Sequence, residues 1–129
     1  MFRVYLALAA ASGLLAVALG AFGAHALRES LDAYGLSVYN TAVQYHFFHT
    51  LALLGVALLL RPLTPPPRAL ILAGGAFATG ILVFSGSLYL LAVTGERWLG
   101  AVTPVGGLAF LLGWSALFYW ALAGSERHG

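Results

Sequence analysis

Residues 40–60 read NTAVQYHFFHTLALLGVALLL, a hydrophobic run whose polar side chains all fall in its first half. Gln44, Tyr45, His46, His49 and Thr50 come first, and the chain is then apolar up to Arg61. About twenty apolar residues cross a bilayer, and an ionisable side chain inside such a run is expensive to bury in hydrocarbon. Two histidines within one span therefore need partners or a task.

Outward from this run, the whole chain carries the same signature. Of its 129 residues 61% are hydrophobic and 8% charged, where a soluble domain carries about a quarter charged residues. So little polar surface cannot keep the chain in water, and it reads as one integral membrane domain, residues 1–129, in the bilayer of a cell membrane. The basic residues are six arginines placed singly at the ends of apolar runs. That is a membrane pattern and offers no nucleic-acid patch. The absence of cysteine excludes disulfides, thiolate metal sites and a cysteine nucleophile.

Four spans are expected, at about 4–26, 42–60, 69–93 and 104–123. The first resembles a signal peptide, with Arg3 before it and Ala24-His25-Ala26 after it, but its apolar run outlasts a signal core of roughly 7–15 residues. Its small residues Ala9, Gly13, Ala16, Gly20 and Ala24 recur at helical spacing and suit close helix packing, so it is read as a retained helix. Residues 25–39 contain Arg28, Glu29 and Asp32 and predict a short interfacial helix ended by Gly35. Thr41 with Gln44 has capping-box spacing and would start the second span. The loop RPLTPPPR, residues 61–68, stops it, because proline cannot continue a helix. Thr94-Gly95-Glu96-Arg97 is a turn, and Thr103-Pro104 reads as the N-cap and first residue of the last span, which a polar tail Ser125-Glu126-Arg127-His128-Gly129 follows. Together these give an all-α, four-helix transmembrane bundle with short loops. Arg3, Arg61, Arg68 and Arg127 share one side and Arg28 and Arg97 the other, which favours cytoplasmic termini.

With that orientation the polar residues gather in the outer half. His46 and His49 lie about 6 and 10 Å along the helix from Ala42 at 1.5 Å per residue, Ser85 and Ser87 lie at similar depth in the third span, and Tyr89 and Thr94 are shallower. His25, Gln44, His49, Ser85, Ser87, Tyr89 and Thr103 form the candidate polar pocket, with His46, Tyr45 and Trp114 as additional candidates. His46 and His49 are three residues apart and share a helix face, a spacing that permits a metal ion if further ligands join, His25 being the candidate. The plainer reading is a neutral histidine hydrogen-bonded to a serine or a backbone carbonyl, with Ser85 and Ser87 as packing and interhelical bonds. Spans without an acid cannot orient a Ser–His pair, and no dinucleotide, P-loop or H-E-x-x-H motif is present.

The segments GAFGAHAL (20–27), TAVQY (41–45), HTLALL (49–54), FSGSLYLL (84–91), Thr94-Gly95 and TPVGG (103–107) with Gly113-Trp114 resemble one family across nearly the whole chain. It is the small bacterial inner-membrane family of unknown function of the YgdD/YwdK type, which also includes eukaryotic transmembrane protein 256. The resemblance implies four spans and a retained first helix, and it carries no established reaction. The family pattern matches at His25, Gln44, Tyr45, His49, Ser85, Ser87, Tyr89, Thr103 and Trp114 and departs at His46, which shifts weight to His25 and His49. The expected role is that of a non-enzymatic structural, accessory or small-ligand-binding protein of the cell inner membrane. Its expected partners are the bilayer and other membrane proteins or further copies of itself, and no cofactor is expected. The alternatives are a transporter or channel subunit passing protons or solute by His25 and His49, and a metal- or haem-binding redox partner using the same pair.

Overall fold

The computed structural model describes residues 1–125, so the tail residues Glu126, Arg127, His128 and Gly129 lie outside the described residues. The described residues are all helical between short turns: α1 Phe2–Phe22 running into a π-helical turn Gly23–Leu27, α2 Ala33–Leu60, α3 Arg68–Gly80, a π-helical turn Ile81–Ser85, α4 Gly86–Thr94 and α5 Leu99–Ser125. With α3 and α4 joined through their π turn, four segments are long and apolar enough to cross a membrane: Phe2–Leu27, Ala33–Leu60, Arg68–Thr94 and Leu99–Gly124. The architecture is the expected all-α four-span bundle.

Two helix starts differ from the sequence reading, those of the second and the last span. The second span begins at Ala33, because the Asp32 carboxylate accepts the Gly35 amide at 2.7 Å and caps the helix there. A carboxylate at a helix N-terminus is a stronger cap than a threonine hydroxyl, since it also meets the positive end of the dipole. Gly35 thus sits in the first turn of α2 and ends no interfacial helix, and Thr41 lies inside α2 with its hydroxyl bonded back to the Ser37 carbonyl at 3.0 Å. The third begins at Arg68, directly after the prolines. The last begins at Leu99, five residues before Pro104. The amides of Leu99, Gly100 and Ala101 bond the carbonyls of Glu96, Arg97 and Trp98, so the turn itself supplies the first helical bonds. Pro104 is then an interior residue near the helix end, where membrane helices tolerate it. Gly95, at φ 71°, makes the left-handed stop after α4 that a side chain would disfavour.

The bundle is organised on α2. One face of it carries α1, whose buried Ala9 and Ala16 and whose Gly13 and Gly20 let the backbones close up; Gly20 meets Val43 and Gly13 meets Thr50. The other face carries α3, the π turn and α4. Helix α5 packs along α3 and α4 by reciprocal glycine–phenylalanine pairs: Phe77 on Gly113, Phe110 on Gly80 and Phe84 on Gly106. At the proline-loop end, a core of Leu53, Val56, Ala57, Leu60, Leu70, Ala73 and Phe77 is apolar, and Tyr5 of α1 reaches across Gly74 to donate to the Ile71 carbonyl.

These pairs predict opposite responses to the smallest addition. A methyl group at Gly106 would lie 2.6 Å from the Phe84 Cα, so Gly106→Ala must part α5 from the π turn, at about 1–3 kcal/mol. Gly55→Ala, which meets nothing within 4 Å, is expected to be neutral or to stabilise by up to ~1 kcal/mol. Thermal unfolding of both variants in mild detergent checks the contrast.

Candidate functional site

His49 is buried on α2 and is held on every side. Its ring stacks on Phe110 with centroids 3.5 Å apart and planes 13° from parallel, and Phe77, Tyr45 and Trp114 complete an aromatic box. The Trp114 indole N–H donates to Nε2 at 3.1 Å. Indole nitrogen is only a donor, so Nε2 must accept, the ring is neutral, and its proton is on Nδ1, which donates to the Tyr45 carbonyl at 2.8 Å. Both ring nitrogens are thereby used. Neither has a lone pair left for a metal ion, and a second proton would set two N–H groups against each other.

A second polar cluster, centred one turn away on α2, faces α1 and α4. Thr50 and Ser12 hydroxyls lie 2.6 Å apart, Ser12 Oγ is 3.0 Å from His46 Nε2, and His46 Nδ1 is 2.9 Å from the Tyr89 hydroxyl. This chain of four groups joins α1, α2 and α4. Beside it, the Tyr39 hydroxyl donates to the Leu19 carbonyl and the Tyr39 ring meets Tyr89 edge-on at 5.2 Å. Ser12, His46 and Tyr89 also line a groove of about 300 Å³ between α1 and the α3–α4 segment, whose other walls include Leu8, Leu15, Ile81 and Gly86. The groove exists because α1 follows α2 and meets α3 through Tyr5 at the proline-loop end, leaving the two segments apart above that point.

The remaining sequence candidates fall elsewhere. Ser85 is buried and donates to the Ala42 carbonyl at 3.0 Å; Ser87 donates to the Phe84 carbonyl and lies 2.6 Å from the Thr103 hydroxyl, which in turn bonds the Leu99 carbonyl. Those three serve helix packing. Tyr45 is exposed on one side and lies against Phe84 on the other. Gln44 is exposed on the outer face of α2 and does not join His49. His25 is exposed in the π turn after α1. The adjacent Gly23 packs on Tyr39, ten residues and about 15 Å along α2 from His49, so the two histidines are not brought together. Among the described residues no three His, Cys, Asp or Glu side chains converge as a metal site requires. Beyond Thr50 toward the proline-loop end the buried residues of α2 are the apolar Leu53, Val56, Ala57 and Leu60.

Ser12 is the site residue that the sequence reading missed, and its partner Thr50 was noticed only as a polar neighbour. A signal was there: Ser12 stands ten residues from the start of α1 and Thr50 ten from the end of antiparallel α2, so both lie at one depth. His46, an additional candidate given less weight for departing from the family pattern, is the centre of the second cluster.

Fold and site together define a small four-span membrane bundle with two internally bonded histidines and a side groove between α1 and the α3–α4 segment. The chain matches the model of the family described as Protein of unknown function (DUF423) over residues 19–107, and it belongs to that family. It is 46% identical to the UPF0382 membrane protein YwdK of Bacillus subtilis over 87% of this chain and 90% of that one. A UPF0382 membrane protein of Haemophilus influenzae is 45% identical over 89% and 90%, and the UPF0382 inner membrane protein YgdD of Escherichia coli is 40% identical over 93% and 90%. No solved structure matches the chain.

Proposed function

We propose that the chain is a non-enzymatic binding protein that holds a bilayer-dissolved molecule in the groove between α1 and α3–α4. The supporting observation is the groove's composition: mostly apolar walls with Ser12, His46 and Tyr89 among them, the mixture by which ligand sites hold and orient an apolar molecule. A non-enzymatic role fits the position of the charged groups, because Glu29, Asp32 and Glu96 all lie in turns and none can orient a Ser–His pair inside the bundle. Metal and haem have no part in this reading, since the His49 nitrogens are engaged by Trp114 and Tyr45. Other membrane proteins or further copies of the chain are the partners to which such an accessory protein would present its ligand. Both termini are assigned to the cytoplasm of a cell with an inner membrane, on the arginine distribution.

Gly86 lines the groove, and a side chain added there meets nothing within 4 Å, so Gly86→Leu is expected to fill the groove and leave the fold intact. Protein purified in mild detergent should then carry a co-purifying bilayer molecule, found by mass spectrometry, that is depleted at least severalfold in Gly86→Leu. Equal content in both proteins would refute the binding role. The orientation predicts that a reporter active only in the cytoplasm works when fused after Gly129 and fails when inserted in the turn at Gly95.

A further inference from the structure

Charge and proton count narrow the occupant of the groove. Ser12 is ten residues from Phe2, and Thr50 is ten residues from Leu60. At 1.5 Å per residue each lies about 15 Å from the proline-loop end, the midplane of a hydrocarbon core ~30 Å thick. His46 is one turn, about 6 Å, nearer the other end. Tyr89 is five residues, about 8 Å, from the far end of its span at Thr94, within reach of oxygens seated at that boundary, so charge decides between occupants. The described arginines and acids lie at helix ends or in turns, and an ionised headgroup would find no counter-charge beside His46.

The polar chain itself asks for one neutral oxygen. Thr50, Ser12, His46 and Tyr89 each bring one exchangeable proton when the imidazole is neutral, and three links consume three of them. Imidazole cannot accept at both nitrogens, so the fourth proton belongs to Thr50, Ser12 or Tyr89. Thr50 and Ser12 have helix carbonyls four residues back as outlets. Tyr89, at the groove end of the chain, has the groove. With the proton on His46 Nδ1, Tyr89 donates outward and a carbonyl satisfies it. With Tyr89 donating to His46, its oxygen accepts from a hydroxyl. The two states interconvert by shifting the His46 tautomer and turning the hydroxyls, with no change of net charge.

We infer that the groove takes an uncharged long-chain molecule ending in a carbonyl or hydroxyl oxygen, and that this oxygen hydrogen-bonds Tyr89 at the end of the Thr50–Ser12–His46–Tyr89 chain. The inference rests on the groove binding a bilayer-dissolved ligand at all. Its test uses the full chain in phosphatidylcholine nanodiscs with two probes, a decyl-benzoquinone for the carbonyl and 1-hexadecanol for the hydroxyl, and a fluorescent phosphatidylcholine as the competing source. The variants are Tyr89→Phe, which removes the bonding oxygen and keeps the ring, and Gly86→Leu, with Ala11→Leu on the opposite wall as a second filling variant should Gly86→Leu fail to elute as a single species. Saturable binding of at least one oxygen-headed probe is expected. It should be roughly threefold to tenfold weaker in Tyr89→Phe, the worth of one net hydrogen bond, and lost in the filled variant. The probe that binds tells carbonyl from hydroxyl. Binding lost on filling but unchanged in Tyr89→Phe overturns the head-group chemistry and leaves the groove reading standing. So does saturable phosphatidylcholine binding that neither probe displaces. Absence of any saturable binding, or binding indifferent to filling, overturns both.

Discussion

A polar side chain in hydrocarbon has only the protein to bond with, and an unsatisfied one costs several kcal/mol. That constraint acts hardest on α2, which carries His46, His49 and Thr50 buried within its span. Each finds its partner on another helix: Ser12 on α1 for Thr50 and His46, Tyr89 on α4 for His46, Trp114 on α5 for His49. Four bonds from one helix to three neighbours fix their heights against it. Among the described residues, no buried side-chain nitrogen or oxygen is left without a partner. In a bundle whose helices have no hydrophobic reason to prefer one another over lipid, such bonds supply register, while packing supplies most of the contact.

The close packing is supplied by glycine. Phe77, Phe110 and Phe84 each fit against a glycine of the facing helix, and this interlock draws α5 near enough for Phe110 to stack on His49 and for Trp114 to reach its Nε2. The same logic brings α1 to α2 through Gly13, Gly20 and Gly23. Because α1 has this one extensive partner, its other side stays parted from α3 and α4. The groove is thus a consequence of how the small residues are distributed, and its polar atoms a consequence of how the α2 histidines are satisfied.

Much of the fold was legible from the sequence. Hydropathy and arginine spacing marked four spans, the prolines after Arg61 marked the central loop, and Gly95 marked the last turn. The helix starts were less legible, because cap candidates compete and the winner depends on the backbone around it: Asp32 prevailed over Thr41, and the 96–98 turn over Thr103-Pro104. The site was legible as a list and not as an arrangement. The polar residues on α2 and α4 cluster in sequence, so their gathering on one half of the bundle was visible. Which neighbour each takes depends on rotation about the helix axis, and that separated His46 from His49 and put Gln44 and His25 on exposed faces. Ser12 was hidden among alanines, with nothing local to distinguish it.

The central claim is that the buried histidines are neutral and fixed by bonds to other helices. Nitrogen-15 NMR of histidine-labelled full chain in lipid nanodiscs at neutral pH reads the protonation of each ring nitrogen directly, with His49→Ala and His46→Ala to assign the signals. The structure predicts a single neutral species for His49 with its proton on Nδ1, dictated by the Trp114 N–H facing Nε2. A His49 proton on Nε2, or a doubly protonated ring, would contradict the account, because the indole donor would then have no acceptor and α5 would lack the bond that sets its height on α2.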